Sequence, residues 1–438
     1  MELGNGATPG ATPGPISQVP QVPQVQGGQQ AQGGRGPAGE FGPPLPMTPP
    51  APAWQAPTPV EQRLFEAKTR GDWVAYFDVL AESHLYHAMP RGLAEARGNG
   101  DGVTWTPFWS PAVGRHCFAF VTEGVLPAPV PDPVFFTTDL GTIADQWGTD
   151  SRWVAVNPGT PCEAYFPPNP PLWTFHADRA RDVPCCTTSL RTLKVGSPLQ
   201  GEVAHGLACG ALLSVNNGYL WNAMAWHGHG FFRERRTLKE WWGVTSREKW
   251  HEYQNDLLSG EMASRVWEFV LEIRRALSRQ YGGWVDPTLW RETAERVMRG
   301  NAAERGEDAP EPQIAGVKQL IGRITRYEAR FRADGILTER GQVRSVLAWD
   351  YGRAANMARW ALASRYCDLP EAEAAVRRAS RVAKTDYNSW QDFAAGYVLG
   401  RCLHFDEEQF GDWYTDMLTA YRLLMESPES PWLTIPWK

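Results

Sequence analysis

Positive charge is in short supply in this sequence: 43 Lys and Arg stand against 49 Asp and Glu, a formal charge of −6. That balance argues against a nucleic-acid protein, which would carry a basic stripe or a high isoelectric point. Long apolar runs are lacking too. The longest lies near Leu207–Val215, far short of the roughly 20 residues that cross a bilayer. The opening MELGNGATPG has neither the basic nor the apolar region of a signal peptide. A soluble protein with no membrane association is therefore expected. The seven cysteines are odd in number and include no C-x-x-C pair. Cys185 and Cys186 are adjacent, poor geometry for a structural bridge, so reduced thiols and a cytoplasmic location are expected. Also absent are a phosphate-binding loop, an H-E-x-x-H pair and a nucleophile elbow, and with them the motif-bearing routes to catalysis. His176, Cys185 and Cys186 match no zinc spacing. His227 and His229, between glycines, read as solvent-exposed loop residues. Neither metal nor cofactor is expected.

What the chain has in quantity is tryptophan, 21 residues of it, which predicts a core rich in large aromatics. Residues 1–58 are built from Gly, Pro, Gln and Ala with a short repeat, Val19–Pro20–Gln21 and Val22–Pro23–Gln24. Such a segment buries too little apolar surface to offset its ordering entropy and reads as a disordered tail or spacer. Order begins at Thr58–Pro59, an N-cap followed by proline at the first helical position. Two short helices broken at Gly71 lead to a strand over Ser83–Met89 and a loop through Gly98–Gly102. Strand-like runs follow at Cys117–Thr122 and Val134–Thr137, then a helix at Leu140–Trp147 and a strand at Trp153–Asn157. Asn157–Pro158–Gly159 reads as a turn with glycine at positive φ.

The transition KTRGDWVAYFDVLAESHLY, the step FFTTDLGTIADQW and the end VAVNPGTPCEAYF resemble the N-terminal domain of the SseB family. The resemblance covers about residues 60–167 and implies a small α/β domain, assigned here to 59–171. An irregular linker is expected over 172–200, containing Trp173 and His176. From residue 201 to 438 the pattern is helical: a small-residue helix over Val203–Asn216, an aromatic helix beginning at Leu238, and an N-cap at Thr245–Glu248. Further helices are expected over Ala263–Tyr281, Leu289–Arg299 and Ile314–Asp334, with a polar loop at Gly300–Gln313. Phe410–Met425 reads as the closing helix, followed by an extended tail pinned by Trp432 and Trp437. Ser246-x-x-Lys249 looks like a serine–lysine pair, but helix capping explains it better. The fold class expected is α+β, a small α/β part followed by a larger, mainly helical one.

Two helices organise the second part, VLAWDYGRAANMARWAL and SWQDFAAGYVLGRCLHF, joined by a charged, acidic-rich stretch. Trp349, Arg353, Asn356 and Trp360 fall within roughly 60° on a helical wheel, and Trp390, Phe393, Tyr397, Arg401 and His404 within about 80°. Each helix thus aims an aromatic stripe inward with one arginine inside it. A lone guanidinium there is costly unless paired, so a shared polar network is predicted. Asp350 is three residues from Arg353, close enough to pair, and Gly400 should let the neighbouring helix approach Arg401.

With LACGALLSVNNGYLWN and LKEWWGVTSREKWHEYQNDLLSG, these helices are similar to the bacterial YbeU- and YbeR-like proteins, domain of unknown function family 1266, here of actinobacterial type. The resemblance covers about residues 203–425 and implies no activity. Two functions are compatible with it. One is a non-catalytic interaction or adaptor protein with a protein partner, for instance beside a toxin, immunity or secretion system. The other is a small-anion sensor or enzyme using Asp350, Arg353, Asn356 and Arg401, with Trp360, Trp390 and Tyr397 around them.

Overall fold

The structure of the protein, a computed structural model, describes residues 54–96, 105–125, 132–180, 190–193, 198–225 and 230–438. The Gly98–Gly102 loop, Cys185, Cys186, His227, His229 and the tail up to residue 53 lie outside the described residues. Trp54 already packs on Phe65, with ring centroids 5.3 Å apart. Ordered contacts therefore start before residue 58, where the tail was expected to end.

Helix α1 (Pro59–Arg70) is capped by the Thr58 side chain and stopped by Gly71 in the left-handed region, as the sequence predicts. Asp72 then caps α2 (Trp73–Ala81). Strands β1 (Leu85–Pro90) and β4 (Pro133–Thr138) form an antiparallel pair. A four-stranded sheet runs in the order β2 (Pro107–Ser110), β3 (Arg115–Phe120), β5 (Trp153–Val156), β6 (Ala164–Phe166), with only the β3–β5 pairing parallel. The short β2 and β6 and helix α3 (Arg91–Ala96) escaped the sequence reading, being too brief to show a period. Helix α4 (Leu140–Trp147) falls where it was expected. The turn after β5 has Asn157 and Gly159 at φ 47° and 82°. Glu61, with no exposed surface, accepts hydrogen bonds from Thr58 and Thr122 and from Gly124 N at 3.1 Å, pinning α1 against the end of β3.

The stretch expected to be an irregular linker opens instead with helix α5 (Pro170–Ala180), which buries Trp173 and His176. Its prolines sit at the first turn, where their missing N–H groups cost nothing. His176 Nδ1 lies 2.7 Å from Asp78 Oδ1 and its ring stacks on Phe77. Trp173, Trp147 and Trp105 anchor an aromatic core beneath the four-stranded sheet.

The small-residue helix breaks in two at Gly210, into α6 (Gly201–Cys209) and α7 (Ala211–Asn216). Helix α8 (Phe231–Trp242) ends at the aromatic pair that was expected to open it, because Gly243 takes the left-handed cap. Ser246 caps α9 (Arg247–Leu258) through Lys249 N, and Lys249 pairs with Glu252, so the serine–lysine resemblance is capping. There follow α10 (Arg265–Tyr281), α11 (Pro287–Glu304), α12 (Glu311–Ala333), α13 (Ala348–Ala363), α14 (Leu369–Asp386), α15 (Trp390–Phe405) and α16 (Asp412–Glu426). Helix α11 runs into the predicted polar loop as far as Glu304. In the closing tail, Pro431–Thr434 is a turn of helix rather than extended chain, and Trp432 and Trp437 pin it by donating to Ala208 O and Tyr387 O.

Helix α13 is the centre of the helical part. It packs against α6, α7, α8, α9, α14 and α15, and all but two of its residues are buried. The one-sided stripe predicted for it gives way to burial on nearly every face. Its small residues, Ala354, Ala355, Ala358 and Ala361, make room for neighbours on all sides. Residues Trp54–Lys438 form one compact unit. Tyr86 and Phe135 of the strands and Val121, just past β3, pack with Leu193, ahead of α6, and with Leu220 and Ala223, between α7 and α8.

Candidate functional site

The crossing of α13 and α15 is set by two glycines. A Cβ on Gly352 would stand 2.6 Å from the Tyr397 ring, and one on Gly400 would stand 2.8 Å from Trp349 Cβ. Each helix therefore receives the other's aromatic ring against bare backbone, as the sequence suggested for Gly400. That exchange places Arg353 and Arg401 toward the same edge of the crossing, where α8 and α16 also arrive.

Arg353 and Asp350 form the predicted i, i+3 pair, and Asp350 is fully enclosed. The second carboxylate oxygen of Asp350 accepts from Ala263 N at 2.8 Å and Met262 N at 3.1 Å. The pair thus ties α13 to the segment that precedes α10. The Arg353 guanidinium lies 3.5 Å from the centre of the Trp349 ring and 5.8 Å from that of Trp242, and its Nε donates to Trp349 O. Burial pushes the Asp350 carboxyl up and the Arg353 guanidinium down from their ordinary values. For both groups, loss of water outweighs the attraction of the partner.

Arg401 is different. Only 8% of it is exposed, yet no carboxylate pairs with it among the described residues, and its enclosed Nε has no acceptor. Its guanidinium carbon stands 5.1 Å from the Trp413 ring centre and 5.6 Å from that of Phe405. Trp413 and Phe405 stack on each other at 4.7 Å, are 46% and 39% exposed, and continue through His404 to Trp349. One turn before Arg401, the hydroxyl of the fully buried Tyr397 also lacks a partner among the described residues. Burial raises the Tyr397 phenol, so it stays a neutral donor. His404 is pushed down by desolvation and by Arg353. The result is a half-open aromatic face over a guanidinium with an unfilled hydrogen bond, with the enclosed Tyr397 hydroxyl one helical turn away.

The other predicted site residues stand elsewhere. Asn356 Nδ2 donates to Gly210 O at 3.0 Å and Gly352 O at 3.2 Å, while its Oδ1 accepts from Ser214 and Arg359. Trp390 packs with His205, Trp432 and Trp437 and donates to Ile435 O. Trp360 faces Trp242 at 6.0 Å.

Arg359, which the helical-wheel reading passed over, is buried and holds Ala223 O at 3.0 Å, Ser214 Oγ at 3.1 Å and Leu220 O. Burial draws its guanidinium down to about 10. Phe405, one turn after Arg401 on α15, is legible from the helical spacing, whereas Trp413 comes from α16 and is not. Among the described residues no three His, Cys, Asp or Glu side chains gather as a metal site. None of the described helices is long and apolar enough to cross a membrane.

No curated protein and no solved structure matches the chain. Residues 237–437, a little under half of the chain and the stretch holding the α13–α15 crossing and the Arg401 face, match the family described as "Protein of unknown function (DUF1266)".

Proposed function

We propose that the protein is a non-catalytic interaction protein whose docking face is Arg401 with Phe405 and Trp413. The occupant that fits is a protein segment presenting a single carboxylate flanked by apolar side chains. The observation that carries this reading is Arg401 itself, almost buried, stacked among exposed aromatics and without an anion among the described residues. A buried unpaired charge is costly, and a carboxylate reaching Arg401 would supply a charge-assisted acceptor for its guanidinium. Exposed Asp412 and Asp416 flank Trp413 on α16, so a long acidic run would be repelled and a lone carboxylate favoured. Tryptophan, tyrosine and arginine are also the residues that dominate binding hot spots.

The alternative, an anion sensor or enzyme on Asp350, Arg353, Asn356 and Arg401, would need a free acid or base. Asp350 is committed to Arg353 and two backbone N–H groups, and Asn356 to Gly210, Ser214 and Arg359, which favours binding over catalysis. The sequence resemblances to SseB and to YbeU- and YbeR-like proteins carry no reaction to this chain, and a place in a toxin, immunity or secretion system as adaptor belongs to the same binding class.

The test is selection from a random heptapeptide library displayed on phage, with the full chain and its Arg401→Gln variant as baits. Peptides with one carboxylate between apolar residues should be enriched on the wild type and bind the variant at least about tenfold more weakly, the worth of one charge-assisted hydrogen bond. An unchanged melting temperature in the variant separates binding from folding. No enrichment, or the same peptides on both baits, refutes the proposal.

A further inference from the structure

Between α10 and the segment that precedes α13, a cleft of about 310 Å³ is lined by Arg274, Arg275, Ser278, Arg279, Gln342, Val343 and Arg344. No lining residue is acidic. The carboxylates stand behind the wall and hold it in place. Arg274 is bound to Glu328 at 2.8 Å and to Val343 O, with both charged side chains only 3% exposed. Arg275 is bound to Glu268 at 2.8 Å and to Arg344 O at 3.1 Å. Arg344 reaches Asp392 only at 3.4 Å, as a part-exposed pair, which is worth little in water. Arg279 makes no ion pair or hydrogen bond among the described residues.

Two guanidiniums are thus fixed by the fold, and two are left to face the cleft with little or no compensation. The negative end of α10 is close by and favours cations in its last turn. It supplies about half a charge, less than Arg279 alone contributes. An exposed aromatic residue, Trp284, is flanked in the chain by residues bonded to two of the lining side chains. Gly283 O accepts from Ser278 at 2.7 Å, and Val285 exchanges both backbone hydrogen bonds with Gln342, at 3.0 and 3.1 Å. Trp284 lies between those two anchor points in the chain and is 51% exposed.

The geometry points to a binding site for a small phosphorylated molecule, of nucleoside monophosphate size, with its phosphate on Arg279 and Arg344 and its ring system at Trp284. The forked guanidinium matches a phosphate's oxygens, and the volume lies at the small end of ligand pockets, roughly 300–1,000 Å³. The site shares no residue with the Arg401 face and does not depend on that reading.

The experiment is calorimetric titration of the full chain at low salt with AMP, ribose 5-phosphate, inorganic phosphate, adenosine and succinate. AMP should bind more tightly than inorganic phosphate, and adenosine and succinate should bind more weakly than either. Arg279→Gln and Arg344→Gln each remove a charged donor from a surface position, so both variants should fold and each should weaken AMP about tenfold or more. Trp284→Ala should weaken AMP and ribose 5-phosphate unequally, because only AMP carries a base to stack. Ribose 5-phosphate binding as tightly as AMP would keep the phosphate site and overturn the role of Trp284. No binding of any phosphate, or binding unchanged in both arginine variants, overturns the site.

Discussion

Replacing Arg353 by alanine is the sharpest test of how the α13–α15 crossing is held. The Arg353 side chain is 11% exposed and its partner Asp350 is fully enclosed. Removing one member of a buried pair leaves the other charged and unpaired, at a cost of roughly 3–5 kcal/mol. The two backbone N–H groups of Met262 and Ala263 still reach Asp350 and hold the cost toward the lower end. Loss of the Trp349 ring contact adds about 1–2 kcal/mol where the cation is desolvated. About 4 kcal/mol is therefore expected at pH 7, read as a fall in unfolding free energy on urea titration. The loss should also depend on pH in a defined direction. Without Arg353 the buried carboxyl has a folded pKa still further above its unfolded value, so the folded variant takes up a proton as pH falls. Its stability then rises relative to the wild type between pH 7 and pH 5. Adding Asp350→Asn to Arg353→Ala should likewise return part of the loss, because it removes the stranded charge. A cost under about 1 kcal/mol, or a loss equal at both pH values, would refute the argument that this pair is buried and coupled.

Two further outcomes are expected. His84 and His205 are both pushed down to about 4 by burial, from 6.5. Their folded pKa is depressed, so their neutral forms stabilise the fold above the unfolded value and that contribution is lost as pH falls from about 6.5 to about 4. His205→Gln should reduce the slope of stability against pH by about 1.4 kcal/mol per unit near pH 5, and an unchanged slope in urea titrations would sink this reading. On α6, a Cβ at Gly206 would stand 2.2 Å from Val376 O, so Gly206→Ala should cost about 1–3 kcal/mol by pushing α6 off α14. Gly316→Ala on α12, with nothing within 4 Å, should be neutral or stabilise by about 0.5–1 kcal/mol; equal effects of the two would contradict the packing argument.

The sequence was most legible where one local rule decides the outcome. Thr58, Gly71, Asn157–Pro158–Gly159 and the Asp350–Arg353 pair each follow from a cap, a turn or a one-turn spacing. It was least legible where tertiary packing overrides a pattern. The helical wheel gave α13 one inward face, and burial by six neighbouring helices gave it several. Asn356 and Arg353 share a wheel stripe and still find different partners: Asn356 bonds across to Gly210 and Ser214, whereas Arg353 bonds within α13 to Asp350 and the Trp349 carbonyl. The aromatic half of the Arg401 face comes partly from α16, and no spacing within α15 could announce Trp413. The arginine cleft joins residues 274–279 of α10 to residues 342–344 of the non-helical segment between α12 and α13, a juxtaposition with no periodic trace in the sequence.

The polar grip of α13 also has a kinetic side. Asn356 and Arg359 bind the carbonyls of Gly210, Leu220 and Ala223, which lie 146, 139 and 136 residues earlier in the chain. Closing a loop of that length costs about 4 kcal/mol of chain entropy before any of those bonds repays it. Until α13 docks, the apolar helices α6 and α7 and the carbonyls between and after them stay open to solvent. Helices α6 and α7 are therefore exposed to misassembly while the fold forms, and the arrival of α13 is the step that ends that exposure.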